Sequence, residues 1–295
     1  MNLTAARGEP AALLTRARRG ELLSRHTTFR VGGRAQYFFA PQNPTELVKI
    51  IEQCRQMGLR VFILGAGSNL LFSDRGFPGA VISTRDVRGI AQSGGDLDVA
   101  AGEPLSSIVA FAETRGVHAL SFLCGIPGTL GGAVAMNAGI RGRAIGDQVV
   151  AVRILCADGK IRTLSAHEMD FGYRCSAVLR ERWVVLSARL SQRGPDYDGD
   201  EILRRRRETQ PTAFASAGCV FRNPPGVSAG ELIERSGLKG LTVGRARVSE
   251  KHANFIVNLG GATSAEICKL IDIVHQKVYN TSHVSLDLEI EVIDG

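Results

Sequence analysis

No Cys-x-x-Cys pair occurs in this chain, and its six cysteines, at 54, 124, 156, 175, 219 and 268, are scattered along it. That spacing argues against a zinc site and a disulfide framework, so reduced thiols in a cytoplasm are the expectation, with no metal. The P-loop pattern of glycine, four residues and Gly-Lys-Ser/Thr is absent. Aromatic residues amount to only 6%, with a single Trp, and they are not interleaved with the basic ones. The net charge of +7 therefore comes without a DNA-reading motif, and nucleic acid is not expected as a partner. The same field would draw in small polyanions such as nucleotide diphosphates. No export signal opens the chain, and no apolar run is continuous enough to cross a bilayer, so no membrane insertion is expected.

Glycine is what the chain has in quantity, 34 residues. Residues 120–140 carry no charged side chain, yet glycine or proline interrupts them at 125, 127, 128, 131, 132 and 139. Such density lets a backbone turn tightly and approach a ligand, and the exposed N–H groups suit a phosphate or the polar edge of a flat ring. The plainer alternative is a tightly packed loop in an α/β core. Upstream, Val61-Phe62-Ile63-Leu64 reads as a buried strand leading into Gly65-Ala66-Gly67-Ser68-Asn69. Strand followed by tight loop is how a pyrophosphate cradle is presented. It is not the dinucleotide fingerprint, because no third glycine opens a helix at the right spacing.

The chain divides on pattern into an N-terminal extension, 1–20, two α+β lobes, 21–85 and 86–195, and a third α+β unit, 200–295. Residues 44–57 have the period of an amphipathic helix with Leu47, Ile50, Ile51 and Cys54 inward, and 105–115 predict another. Strands are predicted at 97–101, 149–157 and 183–191, with Asp158-Gly159 as a hairpin turn. In the third unit the pattern predicts helices at 228–236 and at 264–279, the latter capped by Ser264, and strands at 253–258 and 286–293. The arginines of 204–207 wrap most of a short helix and read as a solvated face.

Several motifs taken in order resemble the UDP-N-acetylenolpyruvoylglucosamine reductases. They are Thr28-Phe29-Arg30-Val31-Gly32-Gly33, the loop 65–69, Gly125-Ile126-Pro127-Gly128-Thr129 through Met136-Asn137-Ala138-Gly139, and Phe171-Gly172-Tyr173-Arg174. Farther on come Gln210-Pro211, Phe221-Arg222-Asn223-Pro224, Gly237-Leu238-Lys239-Gly240, His252-Ala253-Asn254-Phe255-Ile256 and Leu288-Glu289-Ile290-Glu291-Val292. The resemblance runs from about residue 27 to 295 and implies an α+β fold. Its parts would be a two-lobed FAD-binding module of the vanillyl-alcohol-oxidase/p-cresol-methylhydroxylase type and a C-terminal α+β substrate-binding domain. The short segment between Arg174 and Gln210 resembles the compact form without an extra substrate loop. The implied activity is NADPH-dependent reduction of UDP-N-acetylglucosamine enolpyruvate to UDP-N-acetylmuramate for peptidoglycan, by a cytoplasmic monomer holding FAD non-covalently. Arg30, the loop 65–69 (Gly65, Ala66, Gly67, Ser68, Asn69), and Gly125, Ile126, Pro127, Gly128, Gly131 and Gly132 would bind FAD. Asn223, Lys239 and Asn254 would contact the sugar nucleotide.

Adding hydride to a vinyl carbon pushes negative charge onto the substrate carboxylate, and a guanidinium fork matches that charge. Arg174 is the implied fork, with an ordinary surface ion pair as its alternative. Glu291 is the implied second stabilising residue. Alternation puts Asp287, Glu289, Glu291 and Ile293 on one strand face, so periodicity alone does not separate Glu289 from Glu291. The proton donor is where this chain departs from many relatives, with Cys219 in the motif position that serine often holds. A thiol is a far stronger acid than an alcohol and a reasonable proton donor, although free cysteine is often a small buried hydrophobe. Two rival readings are a flavin oxidase or dehydrogenase acting on another small substrate, and a non-catalytic nucleotide-sugar binder.

Overall fold

The computed structural model describes residues 13–140 and 142–295, so most of the expected N-terminal extension lies outside the described residues. Contacts divide the chain into two compact units. Described residues up to Arg19, with Tyr37–Ala66 and Gly79–Leu203, form the first; Gly20–Gln36, Gly67–Pro78 and Arg204–Gly295 form the second. The chain therefore passes between units several times, unlike the sequential division at 85 and 195–200.

The first unit holds two cores. In one, helix Pro44–Gln56 starts at Asn43, whose side chain accepts from the Glu46 amide, and proline occupies its first turn. Its inward face, Leu47, Ile50, Ile51 and Cys54, is buried against Phe39, Ala80, Ile82 and Leu186. Burial also pushes the Cys54 thiol up to about 11, so it stays protonated. Strands Arg18–Leu22, Arg34–Phe39, Phe77–Ser83 and Val61–Leu64 lie in that sheet order, the last two parallel.

The other core lies under a five-stranded antiparallel sheet ordered Ile161–Ser165, Val149–Leu155, Val184–Ser191, Asp96–Ala100 and Ile90–Ser93. The predicted hairpin is present, with Leu155 opposite Ile161 and Gly159 at φ +82°. Helices Leu105–Glu113 and Leu130–Met136 contribute Ile108, Val109, Leu130 and Val134 to this core.

In the second unit, helix Ser264–Ser282 buries Ile267, Leu270, Ile271, Val274 and Val278. They share a core with Ala246, Val248 and Ile256 of a three-stranded antiparallel sheet, Thr242–Val243, Ala246–Val248 and Ile256–Asn258. Phe29, Val31 and Leu71 fill the same core, and Asn258 Nδ2 donates to Phe29 O at 2.9 Å. This packing draws two early segments into the second unit, and no local pattern announces it.

Three local expectations need correction. The cap of the long helix is Thr263, paired with Glu266 in a capping box. Ser264 instead donates its hydroxyl to Asp74 Oδ2 at 2.8 Å. The predicted strand 286–293 is regular only at Glu291–Ile293, which pairs in parallel with Leu70–Phe72. Before it the backbone is spent on the 220–222 segment, with Glu289 N and Ile290 N both reaching Val220 O and Arg222 N reaching Asp287 O, which breaks the alternation. The strand at 253–258 likewise shortens to Ile256–Asn258, because a turn in which Phe255 N donates to His252 O precedes it.

Candidate active site

Within the first unit the two glycine loops meet. Gly65 follows strand Val61–Leu64, and a β-carbon there would stand 2.7 Å from Thr129 Oγ1. Thr129 precedes helix Leu130–Met136, is 3% exposed, and its hydroxyl has no hydrogen-bond partner among the described residues. An orphaned buried hydroxyl costs roughly 1–3 kcal/mol unless a ligand satisfies it. This orphan, beside a glycine with no room for a side chain, fits a polar cofactor approaching Gly65, Ala66 and the 125–132 loop. Thr129 was missed in the sequence, although it stands inside the quoted Gly-Thr motif. Gly131 is also held by the fold itself. Its amide donates to Ala101 O at 2.8 Å, and its missing β-carbon makes room for Ala101.

Within the second unit, Gly67 lies at φ +68°, and a β-carbon would come 2.2 Å from His26 O. No other residue fits there. Gly67 O accepts from Thr28 N at 3.1 Å, which seats the 26–31 segment, and Arg30 is exposed in the left-handed region at φ +56°. Asn69 Nδ2 donates to Glu289 O and Asn69 O accepts from Glu291 N, both at 2.9 Å. The last residue of the loop thus anchors the Glu289–Glu291 backbone, beyond the cofactor contact expected of it.

Arg174 belongs to the first unit, at the tip of a tight turn closed by Gly172 N donating to Cys175 O at 3.0 Å. Its φ is +55°, a costly conformation for a residue with a side chain. Its guanidinium lies 5.4 Å from the centre of the Tyr173 ring, and Nη2 donates to Gly139 O at 3.4 Å.

Cys219, Asn223, Lys239, Asn254 and Glu291 all belong to the second unit. Cys219 follows Gly218 (φ +79°), is half-buried, and bridges Phe255. Its neighbour Val220 donates to Asn254 O and accepts from Glu289 N, each at 2.8 Å, so one backbone mesh holds the Cys219 and Glu289–Glu291 segments. Glu291 is exposed, yet the protein around its carboxyl raises it above the usual range by desolvation. An accessible carboxyl raised in this way is suited to carry a proton. Burial, aided by the charge of Lys239, holds His252 below the usual imidazole range, and its Nδ1 accepts from Asn254 N at 3.3 Å.

The expected substrate contacts are placed unevenly. Asn223 Oδ1 accepts from Ala229 N at 3.0 Å, and Lys239 Nζ pairs with Glu234 Oε1 at 2.6 Å. Asn254 is 2% exposed and its amide is spent inward, Nδ2 donating to Phe221 O at 2.8 Å and Oδ1 accepting from Phe221 N at 2.9 Å. Its contribution is to fix the segment that follows Cys219. Asn254→Ala is expected to cost at least about 1–3 kcal/mol, since two backbone groups lose their partners. A urea midpoint equal to the wild type's would refute that role.

Comparison with known proteins accords with this geometry. Residues 35–165 match the family model for an FAD binding domain, and residues 210–293 match that for the UDP-N-acetylenolpyruvoylglucosamine reductase C-terminal domain. The reductase of Heliobacterium modesticaldum is 44% identical over 92% of this chain and 89% of its own length. That of Moorella thermoacetica is 43% identical over 99% and 98%. The crystal structure of the reductase from Thermus caldophilus superposes with a TM-score of 0.79 at 38% identity, covering 94% of this chain and 99% of its own. The chain belongs to the UDP-N-acetylenolpyruvoylglucosamine reductase family, the FAD-dependent oxidoreductases that form UDP-N-acetylmuramate.

Proposed function

We propose that this reductase uses NADPH as electron donor and that Arg174, Glu291 and Cys219 carry the reduction of the enolpyruvyl ether. Gly65, Ala66, Thr129 and the 125–132 loop, together with Arg30, Gly67, Ser68 and Asn69, are the residues we assign to FAD. When bound and reduced, FAD supplies the hydride that the terminal vinyl carbon receives. Arg174 binds the substrate carboxylate as negative charge builds on it, and its fork holds both oxygens. Glu291, whose carboxyl desolvation raises above its usual range, is the second group we assign to that developing charge. The Cys219 thiol gives its proton to the adjacent carbon, and the thiolate regains one from solvent. One hydride and one proton thus saturate the double bond and leave the ether intact. Asn223 and Lys239 would hold the nucleotide diphosphate; neither fold nor charge requires nucleic acid.

The observation that most supports this reading is Arg174. A non-glycine residue held at φ +55° on a turn tip bears strain of the kind that persists where function requires it. Anaerobic titration tests the whole reading. NADPH should bleach the flavin, and UDP-N-acetylglucosamine enolpyruvate should restore its absorbance stoichiometrically. Bleaching without recovery would point to another acceptor, the oxidase or dehydrogenase reading.

A further inference from the structure

The turn that carries Arg174 is not held by its own backbone alone. Asn137, at the C-terminal end of helix Leu130–Met136, is 9% exposed and adopts the left-handed conformation with φ +45°. Its side chain bridges two segments, Nδ2 donating to Gly172 O and Oδ1 accepting from Gly146 N, both at 2.9 Å. Space is tight around that bridge. A β-carbon on Gly146 would lie 2.7 Å from the Phe171 ring and 2.8 Å from Asn137 Oδ1. The same turn is tied to the same stretch twice more, by Ser176 Oγ donating to Ala135 O at 2.8 Å and by Arg174 Nη2 on Gly139 O. Ser176 is fully buried. The helix begins at Thr129, in the loop assigned above to FAD, and ends at the residue that clamps the arginine turn.

We infer that Asn137 is a positioning residue for the reduction: it fixes the Gly172–Cys175 turn, and with it the Arg174 guanidinium, relative to the 125–132 loop. This rests on the assignment of Arg174 to the substrate carboxylate. Asparagine suits the place for two reasons that can be separated. It tolerates a left-handed backbone, and its amide offers a donor and an acceptor at once. Asn137→Asp keeps the tolerance and the acceptor toward Gly146 N but removes the donor and sets a negative oxygen against Gly172 O. Asn137→Gly keeps the backbone and removes both bonds.

Stopped-flow measurement of the two half-reactions tests the inference. In Asn137→Asp and Asn137→Gly, flavin reduction by NADPH should stay within about threefold of wild type with FAD retained. Flavin reoxidation by the enolpyruvyl substrate should fall by about 10²-fold, the usual result of misplacing a reacting group by about 1 Å. A merely structural role would slow both half-reactions together or release FAD, and either result would overturn the inference. So would reoxidation within threefold of wild type in both variants. If Asn137→Asp does not fold, Asn137→Gly decides by the same criteria. Arg174→Ala run in parallel separates the two claims. If it reoxidises normally, the Arg174 assignment fails; if it collapses while the Asn137 variants do not, only the positioning role fails.

Discussion

Cys219→Ala should lose about 10²–10⁴-fold in the reoxidation of reduced flavin by the enolpyruvyl substrate, the range expected when a general acid is removed. Cys219→Ser should keep much of the activity, because a hydroxyl at the same place can still deliver a proton. The position supports an acid role. Cys219 is half-buried rather than sealed in the core, whereas Cys54 is fully buried and behaves as a small hydrophobe. The mesh through Val220 fixes the Cys219 backbone to the Glu289–Glu291 segment, so the thiol does not depend on a mobile loop for its place. Because serine is the weaker acid, Cys219→Ser should shift the rate-limiting balance toward protonation, seen as a larger solvent deuterium effect on reoxidation than in wild type. Flavin reduction by NADPH needs no acid at this carbon and should be unchanged in both variants. Wild-type reoxidation in Cys219→Ala would remove the thiol from the mechanism and leave it a packing residue. Its half-buried thiol should also make the wild type more sensitive to peroxide than Cys219→Ser.

What the sequence made legible follows from how local each cause is. Helix Pro44–Gln56 was visible because its period, Leu47, Ile50, Ile51 and Cys54, lies within one stretch. The hairpin at Asp158-Gly159 was visible for the same reason. The shortening of 286–293 was not visible, since it depends on Val220 and Arg222, some seventy residues away, taking the backbone bonds that a sheet neighbour would have used. Thr263 was passed over for Ser264 because both are good caps, and only the distant Asp74 carboxylate claims the serine. At the site, the motifs mark both glycine loops but do not distinguish a glycine that faces an orphaned polar group from one that packs. Gly65 faces an orphaned hydroxyl and Gly131 faces Ala101, a difference that exists only in three dimensions. Asn254 shows the same limit. Its motif marked it for the substrate, and its burial turns both ends of the amide toward Phe221.

Arg174 should give the other large effect, and the paired substitutions Arg174→Ala and Arg174→Gly show why it is held as it is. Both remove the guanidinium, so both should lose about 10²–10³-fold in reoxidation, the usual cost of one donor aimed at a developing anion. Their stabilities should differ. At φ +55° alanine bears the left-handed penalty, roughly 1–2 kcal/mol, and glycine does not. The contacts that the wild-type side chain makes include a 3.4 Å bond to Gly139 O and a ring contact with Tyr173, which is 54% exposed. An exposed cation–ring contact is worth only about 0.5–1 kcal/mol. Both variants lose the same side-chain contacts, so the left-handed penalty alone separates them, and Arg174→Ala should melt below Arg174→Gly. Arg174→Lys keeps the charge without the fork and should recover only part of the rate. An Arg174→Gly variant that kept its fold and lost the chemistry would mark a side chain retained for substrate binding. If Arg174→Gly instead lost stability in proportion to activity, the arginine would be a structural strut and the carboxylate would need another cation.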